Sequence, residues 1–113
     1  MWLATKIGYY SIVNKDGFFH IRARKIEDLK NINKIMNWNE EIYSTPNADY
    51  CSRICIPIKN QQKINELFIK LSNEIDYDNF KNHIKKNEQC DKMNSYLQIW
   101  HVMYDYQNAI TNV

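Results

Sequence analysis

Residues 8–24 have the sequence GYYSIVNKDGFFHIRAR, in which two runs of strand-forming residues flank a short polar segment, Asn14-Lys15-Asp16-Gly17. An Asp-Gly pair between alternating apolar residues is a strong signal for a tight turn between antiparallel strands. The sequence therefore predicts one strand within residues 2–13 and a second strand from Phe18 to Arg24.

Outward from this hairpin, the chain repeats the order of two strands and a helix. Residues 26–36 carry apolar side chains at helical spacing, and Glu27 and Asp28 lie in the first turn, where they favour the helix dipole. Short strands are predicted at residues 41–44 and 49–58, on either side of a turn at Pro46-Asn47. Asn60 can cap a second helix, whose apolar stripe consists of Ile64, Leu67, Phe68, Leu71 and Ile75.

These elements predict an α+β fold. We expect a four-stranded antiparallel sheet in the order ββαββα, with helices on one face and further helices at the C-terminus. A short helix is expected to open at Asp78, and the last helix is expected to start near Asp91. The residues that we expect in the core are Ile21, Ile54, Ile56, Ile64, Leu67, Leu71, Leu97 and Trp100.

Length and composition limit the class of protein. The 113 residues fit a single domain, residues 1–113, and 44% apolar content is typical of a folded core rather than disorder. No apolar run is long enough to span a bilayer. The first residues also lack the basic region followed by an apolar stretch that is typical of a secretory signal, so we expect a cytoplasmic protein with no membrane partner. A net charge of +2 gives no reason to expect binding to long nucleic acids.

The cysteines do not indicate a metal site. Cys51, Cys55 and Cys90 are odd in number, and we expect free, buried thiols. The three cysteines and His83 are residue types that bind zinc, but their spacing does not match a known zinc-binding motif. We therefore predict no metal and no cofactor.

All three arginines, Arg22, Arg24 and Arg53, fall in predicted strands, although lysine supplies the other positive charges of the chain. Arginine offers a planar fork of donors that suits phosphate or carboxylate. If the strand registers align, one basic and partly aromatic sheet face forms, and its ligand-binding candidates are Lys6, Tyr10, His20, Arg22, Arg24 and Arg53. The alternative is that the arginines pair with Asp49, Glu40 or Glu41 and serve solubility.

No catalytic signature accompanies the arginines. His20, His83 and His101 are the candidates for a general base, but none of them lies in a motif that positions a nucleophile or a metal. With glycine only at positions 8 and 17, the chain cannot form a glycine-rich phosphate loop.

A series of short elements runs along most of the chain: Met1-Trp2, Thr5-Lys6, Gly8-Tyr9-Tyr10-Ser11, Arg22-Ala23-Arg24, Glu27-Asp28-Leu29, Thr45-Pro46, Ala48-Asp49-Tyr50 with Arg53, Asp76-Tyr77-Asp78-Asn79-Phe80-Lys81 and Trp100-His101-Val102-Met103-Tyr104. In these elements the sequence resembles a widespread set of small uncharacterised bacterial and phage proteins. The resemblance implies no established activity. Cys51 and Ser52 stand where the pattern has larger residues.

Three hypotheses of function follow. The first is a non-enzymatic binding protein for a nucleotide-like anion, and one use of it would be a phage anti-defence sponge for an immune nucleotide signal. The second is a small phosphodiesterase or nuclease with His20 or His101 as the general base. The third is a protein-binding inhibitor or adaptor. Exposed sheet edges and many aromatic residues also lead us to expect a homodimer.

Overall fold

The computed structural model describes residues 1–74 and 90–111. The chain divides into two compact units, Met1–Tyr77 and Asp78–Val113, which are described separately below. The expected short helix at Asp78 and the stripe residue Ile75 lie outside the described residues. The single domain stays a prediction.

The first unit is α+β, as predicted, with a five-stranded antiparallel sheet. Its strands are β1 (Trp2–Thr5), β2 (Gly8–Lys15), β3 (Phe18–Ala23), β4 (Tyr43–Ser44) and β5 (Ser52–Pro57). They lie in the spatial order β1-β2-β3-β5-β4. Helix α1 (Ile26–Met36) follows β3, and a single 3₁₀ turn (Ile58–Asn60) leads from β5 into α2 (Gln61–Ser72).

The hairpin of β2 and β3 forms at the predicted turn. Asp16 and Gly17 have φ angles of 53° and 82°, which is the left-handed backbone that a two-residue hairpin loop requires. Glycine adopts this backbone without strain, and aspartate tolerates it better than most residues. Lys15 therefore pairs with Phe18, and the register continues along both strands to the pair of Tyr10 and Ala23.

The sheet has five strands instead of the expected four, because the segment 2–13 reverses direction at Lys6-Ile7 and forms two strands. The Thr5 side chain closes this turn, since its Oγ1 accepts hydrogen bonds from the amides of Ile7 (3.2 Å) and Gly8 (3.1 Å) and donates one to the Gly8 carbonyl (2.9 Å). Neither turn residue has a positive φ. The turn thus lacks the glycine or asparagine by which sequence patterns identify a hairpin.

Helices α1 and α2 cover one face of the sheet, as predicted. The apolar side chains of β2, β3 and β5 that point to this face meet two residues of α1 and three of α2. Together they form the core of Tyr10, Ile12, Ile21, Ala23, Leu29, Ile32, Ile54, Ile56, Ile64, Leu67 and Leu71. Six of the eight residues that we expected in the core are in this cluster, which confirms their strand faces and the places of Ile64, Leu67 and Leu71 in the α2 stripe. Phe68 of that stripe is instead exposed.

The second unit contains α3 (Cys90–Thr111), which begins within one residue of the predicted start. Leu97 and Trp100 are 38% and 57% exposed, so their predicted burial was wrong. Trp100 instead stacks on Tyr104 along the helix, with ring centroids 5.2 Å apart and an interplanar angle of 10°. Among the described residues, no helix has the length and apolar character needed to cross a membrane.

Candidate functional site

The arginine face is defined here as the side of the sheet that α1 and α2 leave uncovered, and it carries Ser11, His20, Arg22, Arg53 and Cys55. The register of β3 and β5 makes Arg22 and Arg53 direct cross-strand partners and pairs His20 with Cys55. Cross-strand partners project to the same face, so the structure brings His20, Arg22 and Arg53 together as the sequence predicted. Arg22 and Arg53 are called the arginine pair below.

Arg22 is held from two sides. Its Nη2 donates a hydrogen bond of 2.6 Å to Oγ of Ser11, the opposite residue on β2. Its guanidinium carbon also lies 4.5 Å from the centre of the Tyr50 ring, in a cation–π contact. Tyr50 is only 3% exposed, so the ring is a fixed support for this cation.

Arg53 forms a cluster with His20 and Cys55. The His20 Nε2 atom lies 3.1 Å from the Lys15 carbonyl, which can only accept, so Nε2 carries the proton. Nδ1 of the neutral ring is then an acceptor, and it lies 3.2 Å from Nη1 of Arg53 and 3.7 Å from Sγ of Cys55. His20 thus orients the second arginine of the pair.

Neither member of the arginine pair has a carboxylate partner in the described part of the chain. The Nε atoms of Arg22 and Arg53 are both buried and lack a hydrogen-bond acceptor among those residues. Like charges on directly opposite residues destabilise a sheet, and buried donors without acceptors add to that cost. The face therefore presents two cations whose donors the described protein groups satisfy only in part.

Arg24 behaves differently from the pair. Its Nη1 donates to the backbone oxygen of Asp49 (2.9 Å) and lies 3.2 Å from the Asp49 carboxylate, and its guanidinium stacks 4.1 Å from the Tyr50 ring. The hydrogen bond to Asp49 raises the pKa of Arg24. The alternative for all three arginines was an ion pair with an acidic residue that serves only solubility. Among the described residues, Arg24 alone of the three forms such a pair, with Asp49. Glu40 instead pairs with Lys63.

Two of the predicted site residues lie elsewhere. Tyr10 points to the core face, is fully buried, and donates its hydroxyl to the Asp28 carbonyl at 2.7 Å, so its placement on the basic face was wrong. Lys6 lies in the turn between β1 and β2, where Nζ is 3.8 Å from Glu74, and it does not join the arginine pair. The aromatic residue of β2 on the arginine face is Tyr9, and burial raises its pKa.

Sequence reasoning missed Ser11 and Tyr50. The signal for Ser11 was present, because a two-residue turn at Asp16-Gly17 places odd-numbered residues of β2 opposite even-numbered residues of β3. Arg22 must then face Ser11 rather than Tyr10. Tyr50 precedes β5 in an irregular segment, so strand alternation gives no information about its direction.

Cys51 and Cys55 are free thiols, as expected, but their predicted burial was wrong, because Cys51 is exposed and Cys55 is only half-buried beside His20. Burial raises the pKa of the Cys55 thiol, and the nearby charge of Arg53 opposes that effect. Residues 1–74 and 90–111 contain no group of three or more histidines, cysteines and acidic residues that could hold a metal ion. His83 lies outside the described residues.

Comparison of the chain with protein-family models, with curated proteins and with solved structures finds no match. The resemblance to small bacterial and phage proteins therefore stays a prediction. The geometry of the arginine face is therefore the basis of the function proposed below.

Proposed function

We propose that this protein binds a nucleotide-like anionic ligand on its arginine face and does not transform it. The observation that carries the proposal is the arginine pair. Arg22 and Arg53 are direct cross-strand partners, and neither forms a salt bridge within the described residues. An anion between the two guanidiniums relieves their repulsion and supplies the acceptors that they lack.

The supporting contacts are arranged to hold the two cations rather than to neutralise them. Ser11 and Tyr50 fix Arg22, and His20 fixes Arg53, yet all three are uncharged when the imidazole is neutral. Each guanidinium has five N–H donors, and each of these two uses one in the hydrogen bonds described above. The remaining donors can form the two-pronged contact that suits a phosphate oxygen pair.

The state of His20 favours binding over catalysis. A general base needs a free lone pair near the proton that it removes. In the neutral ring, Nε2 already donates to the Lys15 carbonyl, and the lone pair of Nδ1 faces Nη1 of Arg53. A phosphodiesterase that uses His20 remains the second hypothesis, and turnover of a bound nucleotide would establish it in place of the first.

The biological setting extends the proposal. Sequestration of an immune nucleotide signal by a cytoplasmic, phage-encoded anti-defence protein is one use of such a binding face, and its support is the sequence resemblance alone. A homodimer is also proposed. Its support is the exposure of large apolar side chains on α3, since exposed apolar surface marks protein contacts. The most exposed are Trp100, Val102, Met103 and Tyr106. Light scattering at several protein concentrations tests the dimer.

Two measurements test the proposed function. Mass spectrometry of small molecules released by denaturing the purified protein is expected to detect a phosphate-bearing compound, because a tight binder retains its ligand. Calorimetric titration at fixed salt with linear and cyclic nucleotides is expected to give saturable binding without turnover. If the ligand-free protein binds none of them, the nucleotide proposal fails, and the third hypothesis, a protein-binding inhibitor or adaptor, replaces it.

A further inference from the structure

A single row of side chains crosses the whole sheet on the arginine face. Trp2 of β1 pairs with Ser11 of β2, Ser11 with Arg22 of β3, Arg22 with Arg53 of β5, and Arg53 with Tyr43 of β4. Because partners in antiparallel strands share a face, all five side chains project to the same side. The row thus has an aromatic ring at each edge and the arginine pair between them.

Both edge rings face solvent. Trp2 is 73% exposed and Tyr43 is 46% exposed, although tryptophan is highly buried on average in folded proteins. Exposed aromatic rings beside arginines provide the two contacts by which proteins hold single-stranded nucleotides, namely base stacking and contact with the phosphates. The row therefore offers stacking at its two edges and phosphate contacts at the arginine pair, whereas Ser11 is fully buried and contributes its hydrogen bond to Arg22.

Charge favours phosphate in the middle of the row and a base at its edge. The Glu41 carboxylate lies beside Tyr43 and raises the pKa of its hydroxyl, so the ring is neutral and its surroundings are negative. A phosphate placed at that edge would be repelled, whereas a base would stack without charge conflict. The arginine pair is the cationic part of the row.

The width of the row sets the size of the ligand. Neighbouring strands lie about 4.8 Å apart, so the Cα atoms of Trp2 and Tyr43 are separated by about 19 Å across four strand spacings. A nucleoside monophosphate has one base and can occupy one edge only. A ligand that occupies both edges has two bases with its phosphates between them.

We propose that the ligand is a short oligonucleotide of two or three nucleotides that lies across the strands, with its phosphodiester groups over Arg22 and Arg53 and one base against each of Trp2 and Tyr43. This inference rests on the proposed function and specifies its ligand class. The same chemistry occurs in a free small oligonucleotide, linear or cyclic, and in a segment of a longer single strand.

The test is calorimetric titration of the full chain at fixed salt. The probes are the four nucleoside 5′-monophosphates, the four 5′-phosphorylated homotrinucleotides, cyclic di- and trinucleotides, and 12-nucleotide homopolymers. At least one trinucleotide or cyclic oligonucleotide is expected to bind about tenfold more tightly than its mononucleotide. Trp2→Ala and Tyr43→Ala are each expected to weaken its binding about tenfold, because each removes one stacking contact.

The control variant is Phe68→Ala, which removes a partly exposed ring from α2 on the other side of the sheet and is expected to leave affinity unchanged. If the alanine variants have lowered melting temperatures, Trp2→Leu and Tyr43→Leu replace them, because leucine keeps the apolar bulk but removes the aromatic ring. Equal affinity for short oligonucleotides and mononucleotides would overturn the inference and leave the proposed function standing. The same holds if only one of Trp2→Ala and Tyr43→Ala weakens the binding. Failure of every probe to bind would overturn both. Tighter binding of the 12-nucleotide strands assigns the row to single-stranded nucleic acid, and tighter binding of the short probes assigns it to a free oligonucleotide; either supports the shared chemistry.

Discussion

Gly8 shows how closely β2 and α1 approach one another. A Cβ atom at this position would lie 2.7 Å from Cγ of Asp28 and in still closer contact with the hydroxyl of Tyr10. Both neighbours are held in place, since Tyr10 donates to the Asp28 carbonyl at 2.7 Å and the Tyr9 amide donates to the Asp28 carboxylate at 3.1 Å. The glycine is therefore required by packing and not by a turn.

Gly8→Ala is expected to destabilise the protein by about 1–3 kcal/mol, because the added methyl group overpacks a site that cannot relax. The free energy of unfolding from denaturant titration measures this cost. In a Tyr10→Phe background the cost of Gly8→Ala should be smaller, since the nearest clashing atom is gone. Equal costs in the two backgrounds would place the strain elsewhere.

The Cys55 thiol is expected to react slowly. Burial raises its pKa, so the fraction of reactive thiolate near neutral pH is small. The pKa of this thiol is higher in the folded protein than in the unfolded chain. The protonated thiol therefore stabilises the fold at pH values below its unfolded pKa, and this stabilisation is lost as the pH rises through its folded pKa.

Iodoacetamide at pH 8 should therefore modify the exposed Cys51 before the half-buried Cys55, as followed by peptide mass spectrometry of time points. Urea-unfolded protein is the control, and there both sites should react at similar rates. Faster modification of Cys55 than of Cys51 in the folded protein would show an activated thiol and would contradict the account of its surroundings.

At the scale of elements, residue patterns predicted most of the first unit. The Asp16-Gly17 turn, the strand faces of Ile21, Ile54 and Ile56, and the buried stripe residues of α2 lie where alternation or helical spacing places them. These signals are local, so one sequence suffices to read them. The turn at Lys6-Ile7 was missed, because a threonine side chain closes it and no special backbone angle is needed.

Helix α3 marks another limit of sequence patterns. The spacing of Leu97 and Trp100 predicts a helix correctly, but the same spacing does not tell whether the stripe is buried in the chain's own core. Both residues are exposed. Burial depends on where an element docks, and that is a property of tertiary structure.

Helix α2 provides a test of the core. Leu71→Ala should lower the free energy of unfolding by about 2–5 kcal/mol, because Leu71 is only 1% exposed and its truncation leaves a cavity. Ile69→Ala on the same helix is the matched control, and with 68% of its residue surface exposed it should cost less than about 0.5 kcal/mol. A cost for Leu71→Ala as small as that of the control would place this stripe outside the core.

At the scale of the whole sheet, the site was partly predictable. The parity of β3 and β5 identified His20, Arg22 and Arg53 as one group, and the structure brings them together. Tyr10 was assigned to the wrong face because the register that the Asp16-Gly17 turn imposes on β2 and β3 was not applied, and that register places Ser11 rather than Tyr10 opposite Arg22. The pairing of Arg24 with Asp49 also required tertiary structure, since it joins residues 25 positions apart.

The proposed function requires Arg22 and Arg53 to form a two-pronged contact to a phosphate group. The most direct measurement is calorimetric titration of Arg22→Lys and Arg53→Lys with the tightest nucleotide found for the wild type, beside Arg24→Lys as the matched control. Lysine keeps the charge and removes the planar fork, so each of the first two variants should lose about 1–3 kcal/mol of binding free energy with an almost unchanged melting temperature. Arg24→Lys should bind nearly as the wild type does, because Arg24 already pairs with Asp49. Unchanged affinity in Arg22→Lys and Arg53→Lys would contradict the account.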